Sequence, residues 1–185
     1  MRALRLIAIG ACLAWIVSAP ITAGQQPPAP PTPGPEHAVL KMDEGSWDAA
    51  VEFMPPGQPP MTSKGIEVNT MGCGGLCLIT DFTGEAMPGV TFQGHGVTAW
   101  DAVKKKYASS WTDSMSRGLS VGEATWDPAA KRLTGWMEGP DMEGKVTKTR
   151  SVVEHKNGTR IFTAYQTGPD GKEATVMRIT YTKRK

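Results

Sequence analysis

From Ser46 onward the apolar side chains recur at every second residue, and this period constrains the chain more than any other feature. Trp47, Ala49, Val51 and Phe53 alternate with Asp48, Ala50 and Glu52, the pattern of a strand with one face in a core and the other in water. Comparable runs follow at Lys64 to Met71, Cys77 to Gly84, Thr91 to Trp100, Lys106 to Thr112 and Leu119 to Trp126, then at Arg132 to Glu138, Val146 to His155, Arg160 to Thr167 and Ala174 to Thr182. The reading is ten short strands.

The breaks between the runs carry turn chemistry. Trp100-Asp101-Ala102-Val103-Lys104-Lys105 is echoed by Trp126-Asp127-Pro128-Ala129-Ala130-Lys131, each with an aspartate able to close an Asx-turn and a basic residue at the exit. Gly139-Pro140-Asp141-Met142-Glu143-Gly144-Lys145 and Gly168-Pro169-Asp170-Gly171-Lys172 form a second pair, and Asn157-Gly158 is a two-residue hairpin signal. Ten antiparallel strands in chain order leave free edges unless the sheet closes on itself. The expected fold is therefore all-β, an antiparallel up-and-down barrel, with one short amphipathic helix at Glu36 to Glu44, stopped by Gly45, plugging or flanking one end.

The first 35 residues read differently. Arg2 and Arg5 precede an apolar run from Leu6 to Val17, and Ile21-Thr22-Ala23 closes it with a small residue, the three-part pattern of an export signal over residues 1–23. The run is too short to span a bilayer as a helix. Ile9-Gly10-Ala11-Cys12 resembles a lipobox, which would anchor the chain through lipid on Cys12, but the apolar run continues past it. Residues 24–35 hold a dense set of prolines and no large apolar side chain, which makes a semi-rigid spacer. Residues 36–185 form the expected domain. The expected location is exported, periplasmic or extracellular. Of 20 basic and 18 acidic residues, two basic ones lie in the leader, so the remainder is balanced and offers nucleic acid no electrostatic footprint.

Cys73 and Cys77 remain outside the leader, an even pair in an oxidising context. A two-residue loop through Gly74-Gly75 would pair Cys73 with Leu76 and send the cysteines to opposite faces. A three-residue loop through Leu76 would set them opposite each other, where they could bond. Two separately packed thiols are the alternative. A metal site is disfavoured, because no second cysteine pair or nearby histidine completes a ligand set.

Gly45-Ser46-Trp47 looks like the Gly-x-Trp opening of lipocalins, in which the Trp closes the barrel floor. Further along stand Gly74-Gly75, Phe92-Gln93-Gly94-His95-Gly96, Lys105-Lys106-Tyr107, Trp111-Thr112-Asp113-Ser114-Met115, the Gly-Pro-Asp turns and Ile179-Thr180-Tyr181. On these segments the chain from Glu36 to Lys185 resembles a bacterial exported family catalogued as domain of unknown function 1579, of the calycin type of barrel. The resemblance implies a fold and a compartment and no known reaction. Where the family pattern has Arg-Trp-Leu after Gly74-Gly75, this chain reads Leu76-Cys77-Leu78.

Candidate binding residues follow from parity. Trp111 shares a strand face with Ser109 and Asp113, and an aromatic beside a carboxylate can line a pocket with one polar anchor. Glu123 and Arg150 would have to pair if both pointed inward; a solvated outer face is the alternative for each. Tyr165 completes the candidate lining. His95, flanked by Gly94 and Gly96, has room around it for an axial haem ligand, and His155, beside the Asn157-Gly158 turn, is the competing histidine. Met42, Met54, Met61, Met87, Met115 and Met142 lie near segment ends, where thioethers rim a barrel mouth or fill gaps. No Gly-x-Ser-x-Gly elbow, His-Glu-x-x-His or phosphate loop occurs, so no catalytic residue, metal or cofactor is expected. The favoured reading is non-catalytic binding of a small apolar ligand in the barrel. The alternatives are a solid barrel acting as an envelope interaction module, and a haem or enzymatic barrel.

Overall fold

The computed structural model describes residues 29–87 and 89–185. The leader of residues 1–23, Cys12 and the start of the proline-rich stretch lie outside them. The chain runs α1 (Pro35–Lys41), β1 (Gly45–Phe53), β2 (Met61–Gly72), a single 3-10 turn (Cys73–Gly75), β3 (Cys77–Met87), β4 (Val90–Asp101) and β5 (Lys106–Asp113). It continues through β6 (Ser120–Asp127), β7 (Arg132–Pro140), β8 (Val146–Lys156), β9 (Thr159–Thr167) and β10 (Glu173–Lys183). Every strand pairs with its chain neighbours, and β1 pairs with β10, from Trp47 opposite Lys183 to Phe53 opposite Met177. The sheet is a closed ten-strand antiparallel barrel. Closure removes the edges that an open meander would present.

The turns explain how the strands reverse. Asp101 Oδ1 accepts hydrogen bonds from the amides of Val103 and Lys104, both at 2.9 Å. Asp127 Oδ1 does the same for Ala129 and Ala130, at 3.0 and 3.1 Å. Lys105 and Lys131 then take the left-handed backbone, φ 53° and 48°, so the two echoed segments are hairpins of one design. Asn157 and Gly158 both have positive φ, as a type I′ turn requires.

The β2–β3 connection is longer than either loop expected for it. Gly72 and Cys77 form the last ladder pair, leaving the four residues 73–76 outside the ladder. Cys73 itself turns left-handed at φ 53°. That turn brings the cysteine Cα atoms to 5.5 Å, and Cys73 and Cys77 are joined by a disulfide. Closing so short a ring contributes about 2 kcal/mol by chain entropy.

One barrel end is sealed. Helix α1 stops at Lys41, three residues short of the expected end, because a turn through Met42–Glu44 is needed to bring Asp43 inward. Leu40 is buried among Leu78 and Tyr107, with Trp100, Trp126 and Leu133 around them. The Tyr107 hydroxyl donates to the Glu36 carbonyl at 2.9 Å, and the Trp47 indole donates to the Asp43 carbonyl at 2.8 Å. Trp47, Ala49, Phe82, Ile179 and Tyr181 form a second core cluster on the β1–β3 and β10 side. No helix among the described residues is long and apolar enough to cross a membrane.

Candidate functional site

The lumen is not filled evenly. Aromatic side chains of the second cluster occupy the β1–β4 side, while the opposite wall alternates large side chains with glycine, alanine and serine. A cavity of about 170 Å³ remains there, bordered by Thr98, Ser109, Trp111, Met137, Ser151 and Phe162, with Tyr107, Leu133 and Val153 toward the sealed end. The strand pairing makes the space: Ser109 lies opposite Gly122, and Ser151 opposite Gly135 and Ala164. Hydroxyls and large apolar groups thus share one wall, which suits a small molecule with a polar handle.

Trp111 points into this lumen. Its indole lies across Gly94 and Gly96: a Cβ on Gly94 would stand 2.2 Å from the ring, and one on Gly96 2.8 Å. The space expected around His95 is therefore taken by Trp111 on the other face. The indole Nε1 donates to Asp113 Oδ2 at 2.8 Å. The other carboxylate oxygen, Oδ1, accepts the amides of Met115 at 2.9 Å and Ser116 at 2.7 Å. Asp113 is thus a loop cap that fixes Trp111, and it does not offer the lumen a free carboxylate.

His95 faces outward, with 52% of its side chain exposed and Nδ1 2.8 Å from Asp81 Oδ1. It cannot ligate a group held inside the barrel. His155, expected to be exposed beside its turn, instead faces the sealed end, where Nε2 lies 2.7 Å from Asp43 Oδ1 and Nδ1 is buried without a partner.

Glu123, Arg150 and Tyr165 also point outward. Register sets Glu123 beside Trp136, Trp136 beside Arg150, and Arg150 beside Tyr165, a single row across four strands on the outer face. Glu123 borders the cavity at its strand, but its carboxylate is held by Lys104 at 2.5 Å and Lys106 at 3.0 Å. The hydrogen bond from Lys104, reinforced by Lys106, holds that carboxyl below its ordinary value. Arg150 stacks 4.0 Å over the Tyr165 ring and binds both oxygens of Glu173, which raises the guanidinium's hold on its proton and lowers the Glu173 carboxyl. Glu123 and Arg150 do not pair with each other. Both side chains stand on the outer face, each paired with another partner there: Glu123 with Lys104 and Lys106, and Arg150 with Glu173.

The buried charges are ones the sequence did not single out. Arg160, 5% exposed, donates to Glu67 Oε1, and its Nη1 lies 3.4 Å from Asp43 Oδ2. Asn69 donates to the same Glu67 oxygen at 2.7 Å, and Thr80 donates to Asn69 at 2.6 Å. The guanidinium lies 4.0 Å from the Tyr181 ring centroid and 4.9 Å from that of Trp47. Burial works against the Arg160 charge, but Asp43 and Glu67 outweigh it, so its affinity for the proton ends above the ordinary value. The Tyr181 hydroxyl is pushed well above 10.0 by burial first and by Glu67 next. This network ties the N-terminal plug to β2, β8, β9 and β10.

A Gly-Ser-Trp start, a helical plug and a closed ten-strand barrel carry the resemblance drawn from sequence, and the comparison of the whole chain agrees. The profile of the family described as protein of unknown function (DUF1579) matches residues 32–183. The chain belongs to that family. No curated protein matches it. The matched span begins inside the proline-rich stretch, and in this DUF1579 barrel Pro35 opens α1 while Pro33 lies against Gly75. The end of that stretch is part of the fold rather than a free spacer.

Proposed function

We propose that this DUF1579 barrel is an exported, non-catalytic binding protein that holds one small molecule in its lumen. The observation that carries the reading is the cavity between Trp111, Met137 and Phe162 on one hand and the hydroxyls of Thr98, Ser109 and Ser151 on the other. Its volume of about 170 Å³ is below the range of roughly 300–1,000 Å³ typical of drug-sized ligands. It compares with the roughly 150 Å³ cavity that takes up benzene. The ligand class is accordingly a single ring or short chain bearing a hydroxyl, rather than a fatty acid or a haem. The leader pattern of Met1 to Ala23 supports the exported location.

Phenol is the appropriate probe. Titrated into the protein and followed by amide chemical shifts, it is expected to give saturable shifts at Thr98, Ser109 and Ser151. Ser109→Leu, which fills the space opposite Gly122, is expected to abolish them and leave the remaining spectrum folded. Shifts that rise linearly to the solubility limit, or that survive in Ser109→Leu, would contradict luminal binding.

A further inference from the structure

Thr80 borders the cavity and also belongs to the buried network of Arg160 and Glu67. It stands on β3 in the inner row Asn69, Thr80, Gly96, Trp111 that the register sets across β2 to β5. Gly96 brings no side chain to that row, and the Trp111 ring lies where its Cβ would be crowded, at 2.8 Å. The network therefore reaches the cavity at Thr80, beside the indole.

The direction of each hydrogen bond along this path is fixed. Glu67 is ion-paired with Arg160, and an ionised carboxylate can only accept. The Asn69 amide accordingly turns its nitrogen to Glu67 Oε1, 2.7 Å away, because its oxygen in that place would face another oxygen with no proton between them. Asn69 Oδ1 is left as an acceptor on the side of Thr80, and the Thr80 hydroxyl gives its proton to it across 2.6 Å. Thr80 Oγ1 then has only lone pairs to offer a further partner. Arg160, Asn69 and Thr80 all donate toward one carboxylate, and hydrogen bonds aligned head to tail strengthen one another in a low-dielectric interior.

From this, and on the luminal reading of the cavity, we infer that Thr80 selects small molecules that carry a hydrogen-bond donor. The ligand's O–H or N–H gives its proton to Thr80 Oγ1, and its ring or chain lies against Trp111. A carbonyl or ether oxygen at the same place would set lone pairs against lone pairs and forfeit the bond it had with water. The hydroxyls of Thr98, Ser109 and Ser151 can each donate as well as accept, so they do not impose this preference.

Amide-shift titrations of the protein, as recovered from the producing cell, test it with three probes: phenol, anisole, whose oxygen has no proton, and toluene, which has the shape of phenol and no polar atom. Phenol is expected to bind more tightly than either of the others. Thr80→Val, which keeps the shape and removes the hydroxyl, is expected to weaken phenol about fivefold, as the loss of one neutral hydrogen bond implies, and to leave toluene unchanged. Thr80→Ser is expected to restore phenol. The valine leaves Asn69 Oδ1 without its donor; should that variant fail to fold, the comparison of phenol with anisole in the unaltered protein decides alone. Anisole as tight as phenol, undiminished phenol binding in Thr80→Val, or a parallel loss of phenol and toluene would overturn selection by Thr80 and leave luminal binding standing. No saturable binding of any of the three would overturn both.

Discussion

Replacing Arg160 by methionine lowers the stability of the barrel by about 3–5 kcal/mol, the usual cost of leaving buried carboxylates without their cation. For a domain of this size that corresponds to a fall in melting temperature of roughly 6–20 °C. Glu67, 7% exposed at its side chain, and Asp43 both face this guanidinium, and two aromatic rings lose their cation with it. The loss is one of pairing rather than of volume, and a second variant shows this. Arg160→Met combined with Glu67→Met replaces the pair by apolar groups of similar size and is expected to recover much of the lost stability, because desolvated ion pairs and their hydrophobic substitutes are often close in free energy. Thermal melts of the two single variants and the double variant measure the coupling. Additive losses would mean that Arg160 and Glu67 are not partners.

Gly94→Ala is the second large effect. An alanine is ordinarily the better strand residue, so the sign depends on the neighbour. Here the new Cβ would meet the Trp111 ring at 2.2 Å. The ring cannot withdraw freely, because its Nε1 is bound to Asp113. The expected cost is about 1–3 kcal/mol, typical of overpacking. The displaced indole should also enter the cavity it borders and weaken phenol binding. In a Trp111→Leu background the same alanine is expected to be nearly neutral. Chemical denaturation of the four proteins of this cycle checks it, and an unchanged cost in that background would show that the glycine is needed for some other reason.

Much of the architecture was legible because the physics was local. Asp101 and Asp127 close their turns within three residues, Asn157-Gly158 needs only its own φ values, and strict alternation identifies strands without reference to partners. Closure followed from counting edges. The choice of inner face did not follow. On β2, Ile66 and Val68 are exposed while Glu67 and Asn69 are buried, the reverse of what hydropathy suggests. They are buried because Arg160, 93 residues away in the chain, arrives beside Glu67.

The same non-locality explains the candidate residues. Trp111 does line the lumen, since its parity is fixed by Tyr107 and Ser109 on its own strand. Glu123 and Arg150 lie outside, and hydropathy could not say so: the inner faces of β6 and β8 mix Gly122 and Ser151 with Trp126 and Val153, while Val121 puts an apolar side chain on the outer face. Thr98, Ser109, Met137, Ser151 and Phe162 come from five strands, and only the closed register brings them together. The Gly94-His95-Gly96 spacing was informative about a bulky neighbour, but that neighbour is the Trp111 indole 15 to 17 residues on, not a ligand of His95.

The account depends above all on β1 meeting β10, since an open sheet has no lumen, no sealed end and no circular mouth. Amide nuclear Overhauser contacts across that seam test it directly. The register predicts contacts between the Asp48 and Thr182 segments and between the Ala50 and Thr180 segments, with slow hydrogen exchange on both strands. Absence of these contacts, with β1 and β10 exchanging as fast as free sheet edges, would contradict the closed barrel.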